Sequence, residues 1–222
     1  MYVLRKGEEF NKEESKTVEF KAHDRLALTQ MTNREIDGHL FQPASRTLCA
    51  FLNINKECDL YLGIKDDGTV MGHPMFSAQI DHFIQSLDVL MKKKFDPPVD
   101  KYRYEYNFIK VLEDGEENCN PKSTGQGLTL KQDHQLLDQP KLCWCEKEIA
   151  DQKRLNKTAP LYVIHVRINQ WERSKDSHGY SIWPYFSSEE KKSFIRYNAS
   201  NHELGASEVI DQTRLDLREG LI

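Results

Sequence analysis

The sequence contains no long hydrophobic run, and none of its segments approaches the ~20 consecutive apolar residues needed to cross a bilayer. Its first ten residues, MYVLRKGEEF, lack the charged-then-apolar order of a secretory signal. We therefore expect no membrane partner and a cytoplasmic location, with the nucleus or the mitochondrial surface as alternatives. Positive charge is not in excess either, because the net charge is −4. Any binding of nucleic acid must use local basic patches.

Cysteine is sparse, and its five occurrences are odd in number and unevenly spaced. In a chain without an export signal this pattern favours reduced thiols over a disulfide framework. Cys119, His134, Cys143 and Cys145 offer four ligands of the kind that bind zinc tetrahedrally. Their spacing matches no standard zinc module, so free thiols are the expectation and zinc is not an expected cofactor.

The length of 222 residues, with 38% hydrophobic and 30% charged residues, fits a single domain spanning 1–222. Patterns of period 2 predict strands at 17–22, 59–64, 102–112 and 161–169, with shorter strands at 180–186 and 193–197. Helical spacing predicts helices at 45–52, 76–91 and 207–220. The order lacks strict strand–helix alternation, so we predict an α+β fold, with a mixed, mainly antiparallel sheet and packing helices. The polar stretch within 113–158 is interpreted as a partly disordered insertion.

Three acidic residues adjoin two of the predicted strands. Glu14 precedes the first strand, Glu19 lies within it on the polar face, and Asp66 follows the second, at a tight Asp-Gly turn. Three carboxylates can share one Mg²⁺ or Mn²⁺ ion, which stabilises charge on a phosphate and activates water. The alternative is that these acids are solvated, since the chain has 35 of them.

The same residues carry a family resemblance. The segment ESKTVEFK at 14–21 resembles the ES-x-x-VEFK signature of Schlafen core domains and their AlbA-type relatives. CAFLN at 49–53 is similar to the end of the family's first helix, and LGIKDDG at 62–68 is similar to its strand and DDG turn. FIRYNAS at 194–200 is similar to its closing strand. All four occur in the family's order, and the likeness covers most of the chain outside the insertion.

This resemblance implies a Schlafen-like (AlbA_2-type) lobe with endoribonuclease activity. In ribonuclease members, the two glutamates and the first aspartate of the DD pair hold the catalytic metal, which implies Glu14, Glu19 and Asp66 here. Lys21 is implied as a contact to the scissile phosphate, with a solvated strand lysine as its alternative; Asp67 is expected to be a turn residue. The candidate RNA-binding residues are Lys16, Lys21, Arg25, Lys191, Lys192 and Arg196.

Two features depart from the family pattern. Lys56-Glu57-Cys58 replaces the usual Gly-Gly before the second strand, and the regions 99–103 and 169–173 lack the His-x-Cys and Cys-Cys pairs of the vertebrate structural zinc. The length fits one lobe of the two-lobed Schlafen core, which implies a second Schlafen-like subunit. Related single-lobe proteins process the 5′ ends of piRNA precursors, so small-RNA precursors or tRNA-like RNA are the implied substrates. The alternatives are a non-catalytic RNA-binding or assembly subunit and a DNA-binding regulator of the AlbA type.

Overall fold

The fold is taken from a computed structural model of the chain. It describes residues 3–31, 35–36, 39–40, 42–113, 115, 134, 136–137, 139–176, 184–187 and 189–219. The helices are α1 (Ala44–Ile54), α2 (Ser77–Lys93), α3 (Trp144–Arg154) and α4 (Ala206–Glu219). The strands are β1 (Leu4–Arg5), β2 (Val18–Lys21), β3 (Glu35–Ile36), β4 (His39–Leu40), β5 (Cys58–Leu62), β6 (His73–Pro74), β7 (Phe95–Asp96), β8 (Tyr104–Leu112), β9 (Leu161–Ile168), β10 (Phe186–Ser187), β11 (Phe194–Tyr197) and β12 (Ser200–Glu203).

A mixed six-stranded sheet forms the centre of the described fold. Its strand order is β1-β8-β9-β5-β2, and β6 also pairs with β9. The pairs β1–β8 and β2–β5 are parallel, whereas β9 is antiparallel to β5, β6 and β8. Strand β2 therefore lies at one edge of this sheet, which is where the first acidic motif falls.

The two faces of the sheet are covered differently. On one face, alternate residues of the central strands, such as Leu60, Val166 and Phe108, pack with α1 and α2 in the main hydrophobic core. On the other face, Phe20 and Tyr61 pack with the N-terminal segment around Phe10 in a second, smaller cluster. Among the described residues, the first face thus packs against α1 and α2, and the second packs against the N-terminal segment and the turn between Ile64 and Val70.

A small hairpin of β11 and β12 packs against α1. Asn53, near the end of α1, is the anchor for this part of the chain. Its side-chain amide donates to the carbonyl oxygens of Tyr185 (3.0 Å) and Phe194 (2.7 Å), and its oxygen accepts from the Tyr185 amide (2.7 Å). These bonds hold the start of the hairpin against the end of α1.

The sequence-based predictions are confirmed for the α+β class and for the first two helices, the 102–112 and 161–169 strands, and the closing helix, with ends shifted by a few residues. Helix α3 lies inside the predicted insertion at 113–158 and has no counterpart among the predicted elements. Most of the strand predicted at 180–186 falls outside the described residues. Among the described helices, none is long and apolar enough to span a bilayer.

Candidate functional site

Strand β2 places Glu19 and Lys21 on the helix-covered face of the sheet. Glu19 is in register with Leu60 and Lys21 with Leu62, and both of those leucines belong to the main core. The alternation in the sequence predicted that Glu19 and Lys21 share a face, directed at solvent or a site. Both residues are buried instead, at 8% and 9% exposure, because the β11–β12 hairpin closes over this edge.

Arg196, on β11, compensates the buried negative charge of Glu19. Its side chain is fully buried, and its Nη2 donates to Glu19 Oε2 while Lys21 Nζ lies 2.9 Å from Glu19 Oε1. The same guanidinium donates to the carbonyl oxygens of Ser15 (3.0 Å) and Val18 (3.3 Å). Arg196 was predicted to contact RNA, but here its donors are directed into the protein, where they fix Glu19.

Glu14 and Asp66 complete the acidic cluster. Glu14 is half-buried, and its Oε1 accepts a hydrogen bond from the Phe20 amide at 2.9 Å. Burial raises the pKa of Glu14, and the nearby carboxylates of Glu19 and Asp66 raise it further, against the opposing effect of the Phe20 amide. The part of the rise that comes from the two carboxylates shows that negative charges lie near Glu14, in addition to the effect of its burial.

The turn after β5 carries the third acid. Asp66 is exposed there, within a turn closed by a 2.9 Å bond from the Gly68 amide to the Lys65 carbonyl. Asp67 Oδ1 accepts from the Thr69 amide at 2.9 Å, which confirms Asp67 as a turn residue. The structure therefore brings the three predicted acids to one edge of the sheet: one buried, one half-buried and one exposed.

The remaining predicted RNA contacts are spread over the surface. Lys16 and Lys191 are exposed, and Lys192 is exposed but lies 2.5 Å from the carboxylate of Glu203. Arg25 is half-buried and 3.8 Å from Asp24. Of the six predicted residues, Lys21 and Arg196 belong to the acidic cluster, and the other four can present charge to solvent.

The family model described as Schlafen, AlbA_2 matches residues 14–205. The chain belongs to the Schlafen AlbA_2 family. The match starts at Glu14 and continues past β12, so it includes all three acids and the hairpin that holds Arg196. Membership indicates a nuclease-like or nucleic-acid-binding domain, and it confirms the resemblance found in the sequence.

A second polar constellation of this Schlafen domain lies on the opposite sheet face. Asp59 accepts hydrogen bonds from His165 Nε2 (2.7 Å), Arg167 Nε (2.9 Å) and Lys12 Nζ (2.9 Å). Burial alone would raise the pKa of Asp59, but these three bonds hold that pKa well below its usual range. Asp59 was not predicted from the sequence. His165 and Arg167 were predicted to share one face of their strand, and this was the pattern that could have indicated a partner on β5. The stacking of Tyr61 on His165, at 4.5 Å, completes the group.

The four described cysteines of the Schlafen domain are buried free thiols. Burial raises the pKa of Cys49 and Cys58 to about 12, so neither of these is a reactive thiolate at neutral pH. Cys119 lies outside the described residues. Cys143, Cys145 and His134, the other three members of the group considered in the sequence, lie together with His82 of α2. Among the described residues this group, and not the acidic cluster, already has its ligand atoms at metal-binding separation.

Proposed function

We propose that this Schlafen domain is the catalytic lobe of a metal-dependent endoribonuclease. The observation that carries the proposal is that Glu14, Glu19 and Asp66 lie at one edge of the sheet, where the carboxylates of Glu19 and Asp66 add to the effect of burial on the pKa of Glu14. Three carboxylates close together repel one another, and a divalent cation relieves that repulsion. Their oxygens are also the hard ligands that Mg²⁺ and Mn²⁺ prefer.

The oxygen donors of these residues suit such a cation, and its binding would have to draw them to the separation that one ion requires. Each carboxylate oxygen has two lone pairs, so Glu19 retains acceptor capacity beside its bonds to Lys21 and Arg196. When bound, Mg²⁺ or Mn²⁺ supplies Lewis-acid stabilisation of a phosphate and a water molecule of lowered pKa. Glu14, Glu19 and Asp66 would hold the ion, Arg196 fixes the position of Glu19, and Lys21 provides a positive charge next to Glu19 for a phosphate oxygen.

Asp66 offers the cleanest test, because it is exposed and its neutralisation leaves the buried network intact. Asp66→Asn should lower RNA cleavage by about 100-fold or more, the loss expected when electrostatic support of the transition state is removed. Asp67→Asn is the matched control, since its amide can still accept from Thr69, and it should cleave at the wild-type rate. Equal cleavage by wild type and Asp66→Asn, measured with the natural partner subunits present, contradicts the proposal.

The second candidate is a non-catalytic RNA-binding or assembly subunit. The observation that favours it is that both oxygens of Glu19 already accept from protein cations, so a structural ion pair accounts for this residue without a metal. Titration calorimetry with Mn²⁺ separates the two candidates. The nuclease requires a binding event that disappears in Asp66→Asn and persists in Asp67→Asn, whereas the subunit requires none.

The surface charge bears on how the lobe binds its substrate. Affinity for RNA needs several phosphate contacts, each of which adds to its salt dependence. Of the predicted contacts, Lys16 and Lys191 are exposed, while Lys21 and Arg196 are directed inward. We therefore propose that a second Schlafen-like subunit supplies further cations, and that RNA, such as a small-RNA precursor or a tRNA-like molecule, is cleaved by the complex. A purified chain that cleaves at full rate, with no gain from any partner, would contradict this assembly.

A further inference from the structure

Four buried side chains outside the acidic cluster meet between α2 and α3. His82 lies on α2, His134 on the connection after β8, and Cys143 and Cys145 on either side of the first residue of α3. All four are less than 7% exposed. Imidazole nitrogens and thiol sulfurs buried together are the donors of structural zinc sites.

The separations between the ligand atoms suit a tetrahedral ion. His134 Nδ1 lies 3.2 Å from His82 Nδ1 and 3.2 Å from Cys143 Sγ, and Cys145 Sγ lies 3.5 Å from His82 Nδ1. With Zn–N near 2.1 Å and Zn–S near 2.3 Å, the edges of a zinc tetrahedron are about 3.3 to 3.8 Å. The four atoms all lie within 4.8 Å of one another, so the two shortest edges need a slight expansion and any edge longer than 3.8 Å a small contraction to reach that length.

The groups around the two histidines hold their rings in place. His82 Nε2 lies 3.3 Å from the Leu137 carbonyl oxygen, and since only an N–H can donate there, Nδ1 is left with its lone pair facing the cluster. A backbone carbonyl in this role is the common support of a metal-bound histidine. The His134 ring stacks on Trp144 at 4.7 Å, and the His134 amide donates to Gln85 Oε1 at 3.0 Å.

Helix α3 has little apolar surface to hold it in place. Only Cys145 and Ile149 are buried along its eleven residues, and the local hydrophobic cluster consists of Ala78 and the two cysteines, with Trp144 packed against it. We propose that His82, His134, Cys143 and Cys145 bind a structural zinc ion that fastens α3 and the preceding connection to α2. Four protein ligands fill the tetrahedron, so the site is closed and structural. Two sulfur and two nitrogen donors favour zinc over Mg²⁺ or Mn²⁺.

This site differs from the group considered in the sequence. That group included Cys119 in place of His82, and zinc was not expected to bind it. His82 escaped notice because it lies 52 residues before His134, on a helix whose apolar stripe gives it no distinguishing pattern. None of its four residues falls in 99–103 or 169–173, the regions that match the zinc-binding pairs of vertebrate Schlafens.

Metal analysis of the purified full-length chain tests the proposal. Elemental analysis should find about one zinc per chain, and replacement by Co²⁺ should give visible d–d bands with near-ultraviolet thiolate-to-cobalt charge transfer. Cys145→Ser and His82→Gln should lose the metal and the charge-transfer band. Cys58→Ser, a buried thiol outside the cluster, and Asp66→Asn, in the acidic cluster, should keep both.

Two results would overturn the proposal. One is a wild-type chain that holds no stoichiometric zinc and shows no thiolate band with Co²⁺, a measurement that does not depend on the folding of any variant. The other is a Cys145→Ser chain with full zinc content and an unchanged cobalt spectrum. Neither result bears on cleavage by the acidic cluster, because hard-ligand Mg²⁺ or Mn²⁺ sites contain no thiolate.

Discussion

The acidic cluster at strand β2 and the histidine–cysteine cluster between α2 and α3 each bury polar side chains, but they are stabilised in different ways. In the first, Arg196 and Lys21 neutralise Glu19 from within the protein. In the second, the described contacts run among the four side chains and their immediate neighbours. A cation in the acidic cluster would therefore add function to a structure that is already stabilised without it. A cation in the other cluster would hold a helix in place.

The largest effect is expected from removing the internal cation of the acidic cluster. Arg196→Met keeps the volume but leaves the buried carboxylate of Glu19 without its guanidinium partner. Breaking a buried ion pair from one side costs about 3–5 kcal/mol. Urea unfolding should show this loss, whereas Lys192→Met, which removes an exposed pair with Glu203, should cost less than about 1 kcal/mol. Similar losses for the two variants would mean that Arg196 does not stabilise the cluster.

Metal removal distinguishes the two clusters directly. A zinc chelator, added with Mg²⁺ in excess, should lower the free energy of unfolding by about 2.7 kcal/mol if zinc had been present at 100 times its dissociation constant. Hydrogen exchange should then show α3 losing protection while β2 keeps it. Omitting Mg²⁺ and Mn²⁺ should leave both elements protected. If β2 loses protection when Mg²⁺ is omitted, the acidic cluster depends on its cation for stability, and the contrast between the two clusters is wrong.

The Asp59 group, less buried than Glu19, should show an intermediate effect. Asp59→Asn weakens charge-assisted hydrogen bonds from His165, Arg167 and Lys12 and should cost about 1.5–3 kcal/mol at pH 7. Because the folded-state pKa of Asp59 is lowered, its contribution is present above the ordinary Asp pKa of about 3.9 and is lost as pH falls through the folded value.

Unfolding free energies at pH 7 and pH 3 test this dependence. The gap between wild type and Asp59→Asn should be narrower at pH 3. Glu57→Gln, an exposed change two residues away, provides the control and should leave the unfolding free energy unchanged at both pH values. A gap that is equally wide at both pH values would show that ionisation of Asp59 contributes little.

The smallest effect concerns Glu14, whose pKa is raised by burial and by the neighbouring carboxylates. The folded state binds more protons than the unfolded state there, so stability declines as pH rises through the ordinary Glu pKa of about 4.3 and then the raised one. The free energy of unfolding of Glu14→Gln should therefore be slightly higher than that of wild type between pH 4 and 7. Glu13→Gln, at an exposed neighbouring position, should show no such increase. Saturating Mn²⁺ should cancel that gain, since a cation favours the carboxylate.

The sequence predicted the acidic cluster better than the histidine–cysteine cluster, for a physical reason. Glu14 precedes strand β2 and Glu19 lies within it, and Asp66 follows the strand that pairs with β2, so local sequence places all three at one edge. Burial of Glu19 could not be predicted, because it depends on Arg196, whose position is set by how the hairpin docks on α1. His82 and Cys143 meet only through the long connection between β8 and β9, and no local pattern encodes that closure.

The distance along the chain between Glu19 and Arg196 also sets the order of events during synthesis. Their contact spans 177 residues. At about 5–20 residues per second, Arg196 is synthesised roughly 9 to 35 s after Glu19. For that interval the first acidic motif is on the ribosome without the guanidinium that fixes it. The proposed nuclease site therefore cannot be assembled until nearly all of the domain has been made, and an interrupted chain would release no cutting activity near the messenger being translated.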